Sequence, residues 1–210
     1  MAGPVRTRRP VYVDLLPPCN AGCPAGENIQ AWLAELAAGR TERAWRTLVA
    51  ENPLPAIHGR VCYHPCESVC NRAELDDAVS IHAVERYLGD LALERGWQFA
   101  PAAPPSGKRV LVVGSGPSGL SAAYHLAVRG HEVEIRDAGD QPGGMMRYGI
   151  PSYRLPRAVR AASMAVFPPP YTATFLPIRG RSPEATLRRK VIASTIRPAS
   201  RAGMSTRLER

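Results

Sequence analysis

Five cysteines fall in two groups, Cys19 and Cys23 in PPCNAGCPAG, then Cys62, Cys66 and Cys70 in GRVCYHPCESVC. The second group repeats at four-residue intervals and each group lies beside proline, a pattern unlike that of scattered free thiols. The opening MAGPVRTRRP is basic but leads into no apolar core of a signal segment, and no run of eighteen apolar residues is present to span a membrane. A reducing, cytoplasmic setting is therefore expected, where an odd number of cysteines argues for metal ligation over disulfides. Thiolates at such spacing hold zinc or an iron–sulfur cluster. Spacing alone does not choose between them, and His58, His64 and His82 are available to complete a zinc site.

A second chemistry lies further along, in KRVLVVGSGPSGLSAAYHLAVRGHEVEIRDAGDQPGGMMRYGIP. Val110 to Val113 is a β-branched apolar run of the kind found in strands buried on both faces. Gly114, Gly116 and Gly119 form G-x-G-x-x-G, with Pro117 and Ser118 between the last two. The first glycine permits the tight turn and the second lets backbone approach a pyrophosphate. The third allows close helix–strand packing, with the helix N-terminus aimed at the anion. Leu120 to Val128 is alanine-rich and helical, Gly130 is placed to cap it, and His131 to Arg136 alternates as a strand. That strand delivers Asp137, 23 residues after Gly114, where an acid bonds a ribose hydroxyl. The agreement of strand, motif, helix, strand and acid makes this the first half of a dinucleotide-binding fold.

The elements that position the cysteines are helical. Asn28 to Ala38 and Thr41 to Ala50 are amphipathic, broken at Gly39-Arg40, with Trp32, Leu33 and Leu36 on one apolar face and Ala44, Trp45 and Leu48 on the other. These faces are read as core. Ile81 to Leu93 forms a third helix with Val84, Leu88 and Leu91 inward, and WQFAPAAPPSG, residues 97–107, is read as a linker.

A helical cysteine module with NPLPAIHGRVC, a third helix, then KRVLVVGSGPSGL and GGMMRYGIPSYRLP, resembles the small (beta) subunit of glutamate synthase. It is equally similar to the N-terminal portion of dihydropyrimidine dehydrogenase, and the resemblance covers residues 11 to 157. It implies [4Fe-4S] clusters in the helical module, FAD in the first dinucleotide fold, and NAD(P)H in a second one that belongs to a longer form. The pair Gly143 and Gly144 is similar to the second glycine pair of flavoprotein reductases that approaches the flavin diphosphate, which favours FAD here. Two-cluster relatives carry a further C-x-x-C where this chain has DLLPP, and His58 stands where relatives often have cysteine. One [4Fe-4S] cluster is therefore expected. The resemblance gives Cys23, Cys62 and Cys66 as ligands, with Glu85 near the position of a non-cysteine fourth ligand. Cys19 and Cys70 match ligands of the absent cluster and are alternative fourth ligands; the other reading of Glu85 is a solvated helix acid.

The expected fold class is α plus α/β. An all-helical iron–sulfur domain over 1–96 is followed by a linker (97–107), the first half of a Rossmann-like FAD-binding fold (108–157), and an irregular basic tail (158–210). The net charge of +9 is unevenly placed: residues 1–156 carry 16 basic and 16 acidic groups, and the rest carry 11 basic groups with only Glu184 and Glu209. Two lysines against 25 arginines and the abrupt change near Arg157 suggest a shifted reading frame, with at most short strands such as Tyr171 to Leu176. Clustered aromatics for stacking are missing from the tail, so nucleic acid is not an expected partner. The resemblance implies an oxidoreductase passing electrons from NAD(P)H through flavin and cluster to a larger catalytic subunit. The half fold alone is expected to hold FAD weakly. The rival reading is a non-enzymatic iron–sulfur or zinc module that docks on a larger oxidoreductase.

Overall fold

The computed structural model describes residues 16–100, 103–165 and 171–175. The first helix, α1 (Pro18–Gly22), opens with proline at its first position, where a missing N–H costs nothing. Helices α2 (Ile29–Ala37) and α3 (Thr41–Val49) follow, the former capped by the Asn28 side chain accepting from the Ala31 N–H. They pack as a hairpin that buries Ile29, Trp32, Ala44 and Leu48. Both apolar faces expected from the sequence thus reach the core, although Leu33 and Leu36 are only partly buried.

Two short proline-started helices, α4 (Pro55–Val61) and α5 (Pro65–Ser68), carry the second cysteine group and were not evident from periodicity, being too brief to show one. A single 3-10 turn (Asn71–Glu74) leads on to the long α6 (Ile81–Arg95). Helices α4 and α6 touch backbone to backbone. A Cβ at Gly89 would lie 2.2 Å from the Ala56 nitrogen, and one at Gly59 would lie 2.5 Å from the Arg86 nitrogen. Arg60 clamps the same pair through two hydrogen bonds to Asp90, at 2.7 and 2.8 Å.

The second half contains β1 (Arg109–Val113), α7 (Pro117–Val128), β2 (Glu132–Asp137), a short α8 (Met145–Tyr148), α9 (Arg157–Ala165) and β3 (Tyr171–Phe175). The sheet is parallel throughout, in the order β1-β2-β3, with Val110 opposite Val133 and Val133 opposite Tyr171. Two expectations change here. The sequence placed no helix beyond Arg157, yet α9 forms and packs on α4, α6 and α8, and the expected strand follows as β3. Helix α9 and strand β3 therefore stand where irregular chain was expected; residues 166–170 and 176–210 lie outside the described residues. Second, β1 is not buried on both faces. It stands at the sheet edge among the described residues, and Leu111 (51% exposed) and Val113 (82%) lie on the open face of the sheet, opposite Glu134 and Arg136 of β2.

Two residues of the segment read as a linker pack against the core. Trp97 and Phe99 stack against Trp45 at 5.7 and 5.3 Å between ring centroids, and Phe99 meets Tyr124 edge-on at 5.2 Å. Tyr124 on α7 donates its hydroxyl to the Val49 carbonyl at 2.7 Å. Leu54 and Ile57 share one buried cluster with Leu120, Ala123, Val133 and Ile135, so the helical and Rossmann-like parts are not separate cores.

The close α4–α6 crossing leaves no room for a methyl group. Gly89→Ala is expected to destabilise the chain by about 3 kcal/mol or more, the upper range for overpacking against backbone. Equilibrium denaturation measures this, and an unchanged midpoint would mean that the helices do not meet at Gly89.

Candidate metal centre and dinucleotide cradle

Three thiols meet where short helices end or begin. Cys23 follows α1 in extended conformation, Cys62 ends α4 in the same way, and Cys66 lies on α5. Between the last two, His64 adopts a left-handed backbone (φ 48°), which turns the chain tightly enough to start α5. Its N–H donates to Cys62 Sγ at 3.3 Å, a contact suited to a sulfur carrying negative charge.

Cys23, Cys62, Cys66 and Glu85 line one cavity of about 230 Å³, together with Glu27 and His58. A single water needs only about 15 Å³ on the same measure, so the space accommodates a guest of many atoms. Cys19 and Cys70 do not line it. They lie to one side and influence each other electrostatically. The structure thus brings together the four groups of the expected ligand set and sets the two alternatives apart.

Glu85 is 6% exposed, which excludes a solvated helix acid. What holds it has no signature in the sequence. The Asn52 amide donates to Glu85 Oε1 at 2.7 Å and to Glu27 Oε1 at 2.8 Å, while Trp32 Nε1 donates to Glu27 Oε2 at 3.3 Å. The Asn52 carbonyl accepts from the Leu54 N–H at 3.1 Å, so every polar group of this amide is engaged. Asn52 and Glu27 escape a motif search because a lone buried amide between two acids has no sequence spacing of its own.

The electrostatics all ask for positive charge. Burial, and then the Glu27 carboxylate, push Glu85 up to about 9. Burial raises Glu27 as well. Burial, then Cys23 and its other acidic neighbours, push the Cys66 thiol up to about 12, and burial raises Cys23. His58 is held below its ordinary value by burial and is neutral. No Lys or Arg lines the cavity. Three thiols and a carboxylate around a space without a cation fit a metal centre, whose charge favours their deprotonated forms.

The dinucleotide cradle is built at the β1–α7 turn. Gly114 has φ 98°, and a Cβ on Gly119 would lie 1.9 Å from the Gly114 carbonyl oxygen, so only glycine lets α7 pack this close. A Cβ on Gly116 would meet nothing within 4 Å, leaving open space beside the helix N-terminus. Pro117 and Ser118 open α7. Gly144 closes in from the other side; its Cβ would lie 2.9 Å from Gly116 Cα. The Gly143 N–H donates to the Ser115 carbonyl at 2.9 Å, which ties the two glycine loops together.

Asp137 ends β2 as expected but has duties within the protein too. Its Oδ2 accepts from the Ser115 hydroxyl at 2.6 Å and from the Ser115 backbone N–H, and its Oδ1 accepts from the Gly139 N–H at 2.7 Å. Burial pushes this carboxyl up, but those three bonds outweigh it and hold Asp137 below the usual carboxylate range. A carboxylate has about four acceptor positions, so one remains for a ligand hydroxyl.

These features define a helical metal-binding domain joined to a Rossmann-like dinucleotide-binding domain. Residues 14–97 match the family described as dihydropyrimidine dehydrogenase domain II, 4Fe-4S cluster, and residues 112–169 match the NAD(P)-binding Rossmann-like domain. The latter match runs past Arg157, as α9 does. The chain is 40% identical over 141 residues to the glutamate synthase (NADPH) small chain of Bacillus subtilis, covering 66% of this chain and 28% of that one. It is 37% identical over 169 residues to the NADP(+)-dependent formate dehydrogenase subunit beta of Moorella thermoacetica, covering 70% and 24%. It is 38% identical over 148 residues to the NADPH-Fe(3+) oxidoreductase subunit beta of Geobacter sulfurreducens, covering 67% and 21%. The resemblance to glutamate synthase small chains spans both parts of the fold, and that to dihydropyrimidine dehydrogenase is matched over residues 14–97. The chain spans less than a third of the length of these relatives. Among the described residues no helix is long and apolar enough to cross a membrane.

The buried Glu85 sets a pH dependence for the metal-free chain. Its folded form prefers to keep the proton, so stability is full below the ordinary value of 4.5 and falls as pH rises from there towards about 9. Glu85→Gln should flatten that decline, read as the denaturation midpoint against pH. An equally steep decline in the variant would remove Glu85 as its source.

Proposed function

We propose that Cys23, Cys62, Cys66 and Glu85 hold one [4Fe-4S] cluster, and that the glycine loops and Asp137 hold FAD. The protein then serves as the electron-relay part of an NAD(P)H oxidoreductase that feeds a larger catalytic subunit. The observation that carries this reading is the gathering of three thiols and a buried carboxylate around one cavity that no Lys or Arg lines among the described residues. The relatives' descriptions as small or beta subunits of oxidoreductases support the relay and the partner.

When bound, a flavin and a cluster together convert two-electron hydride chemistry into single-electron transfer. The residues of this chain supply position and potential. The thiols provide anionic sulfur, and the His64 N–H on Cys62 tempers that charge. Asn52 fixes the Glu85 carboxylate and shares its second proton with Glu27. In the cradle, Gly114, Gly116 and Gly119 admit the diphosphate at the start of α7. Gly143 and Gly144 close over it, and Asp137 offers its remaining acceptor position to the adenosine ribose.

A zinc-binding docking module is the second reading, and His58, His64 and His82 on the same cavity wall favour it. Metal analysis of anaerobically purified protein separates the two. Iron with an equal amount of acid-labile sulfide is expected; zinc alone would support the module instead. Cys23→Ser, Cys62→Ser and Cys66→Ser should each lose the cluster's visible absorption, whereas Cys19→Ser and Cys70→Ser should keep it.

Flavin binding has a sharper test. Gly116→Ala adds a methyl group that meets no protein atom and leaves a permitted backbone (φ −69°), but it intrudes on the diphosphate. It is expected to weaken FAD binding about tenfold or more, with the melting temperature unchanged. Equal affinity in flavin fluorescence titrations would put the diphosphate elsewhere.

A further inference from the structure

Behind the second glycine pair lies a cavity of about 280 Å³ lined by Asp140, Gln141, Arg147, Tyr148, Arg157 and Arg160. It is distinct from the cradle. A Cβ on Gly143 would lie 3.4 Å from Arg147 Cβ and 3.7 Å from Arg160 Cδ, so the two arginines back onto the loop whose other side approaches Gly116.

Arg160 is the anomaly. It is only 6% exposed, yet its Nε is buried without a hydrogen-bond partner. Its Nη1 reaches only the Met146 carbonyl, at 3.5 Å. A buried guanidinium left so poorly satisfied costs free energy unless a ligand completes it. Arg147 is oriented by donating from Nε to the Pro142 carbonyl at 2.9 Å, and Arg157 opens α9 on the same wall. Among the described residues none of the three forms an ion pair, while the one acid of the lining, Asp140, accepts from the Tyr148 hydroxyl at 3.1 Å. Burial, then Arg147 and Arg157, hold Arg160 below the usual arginine range, as expected for like charges facing an empty centre.

We propose that this cavity is an oxyanion site for a phosphate group. Three guanidiniums against one carboxylate leave an excess of two positive charges. A phosphate monoester carries about −1.5 to −2 at neutral pH and offers three acceptor oxygens, enough to engage several arginines at once. A single carboxylate would neutralise only half of the excess. The phosphate arrives either free or on the ribose of a phosphorylated dinucleotide. The second source is within reach because the Tyr148 hydroxyl stands 3.5 Å from where a Gly139 Cβ would be, and Asp137 Oδ1 lies 3.2 Å from that same point. Binding of free phosphate does not depend on the FAD assignment, whereas a phosphorylated dinucleotide would reach the site only through a cradle that FAD does not fill; Gly116, which does not line the cavity, separates the two in the variant Gly116→Ala.

Calorimetric titration of the full chain with inorganic phosphate tests the proposal. Saturable binding is expected, weakened about tenfold or more in Arg160→Met, which replaces the buried guanidinium by an apolar chain of similar length. Should that variant fail to fold, Arg157→Met alters an exposed residue on the same wall and should weaken binding in the same direction. NADP+ and NAD+ differ by one ribose phosphate and tell the sources apart. A preference for NADP+ that phosphate competes away identifies the ribose phosphate; equal binding with phosphate retained identifies the free anion. No saturable phosphate binding by the unaltered chain, or equal binding by both arginine variants, would overturn the site.

Discussion

The arrangement of the helical part turns on the burial of acidic groups without a cation. Glu27, Glu85 and the thiols of Cys23 and Cys66 are drawn out of water by the packing of α2, α4, α5 and α6. One amide, Asn52, is all that links the two carboxylates. Such an arrangement is unfavourable by itself, since desolvation penalises each charged form and the groups repel one another once charged. The raised values of Glu85 and Cys66 express that tension. A multivalent cationic centre would attract each of these groups and so offset their desolvation and mutual repulsion, which would couple metal binding to folding through the same side chains.

Helix α4 transmits this constraint to the other half of the molecule. Leu54, at its start, and Ile57 are buried with Leu120, Ala123 and Ile135 of the Rossmann-like part, while His58 and the capping Cys62 face the metal cavity. Because Gly59 and Gly89 let α4 lie directly on α6, the helix has little freedom to shift. The stack of Trp45, Trp97, Phe99 and Tyr124 fixes the same junction from the other end. The proposed relay would need its two centres at a constant separation, and a shared core supplies that more firmly than a flexible tether would.

The sequence was legible where chemistry imposes spacing or a helix is long enough to repeat. Asn28 to Ala38, Thr41 to Ala50 and Ile81 to Leu93 showed a 3.6-residue period and are helices within two residues of those bounds. The glycine turn and Asp137 were legible because a pyrophosphate and a ribose dictate their positions. Helices α1, α4, α5 and α8 were not, since four to seven residues started by proline or glycine carry no period. The aromatic residues of 97–107 were hidden by the prolines around them, which suggest a spacer until Trp45 and Tyr124 are seen beside them. The Asn52 bridge joins groups 25 and 33 residues away, a separation with no local signature.

The sheet adds a last constraint. Parallel strands are ordinarily covered on both faces, but among the described residues this sheet is covered on one: Val133 and Ile135 of β2, each 1% exposed, lie on the covered face, and Glu134 and Arg136 on the other. Leu111 and Val113 of β1 lie on that open face and are exposed. Strand β1 is also the strand that delivers Gly114 to the cradle. Loosening at β1 would therefore displace the turn on which Gly116 and Asp137 converge, through the Ser115 N–H and hydroxyl that Asp137 accepts. Covering of the open face and cofactor binding thus act on the same backbone, and whatever covers Leu111 and Val113 stabilises the cradle as well.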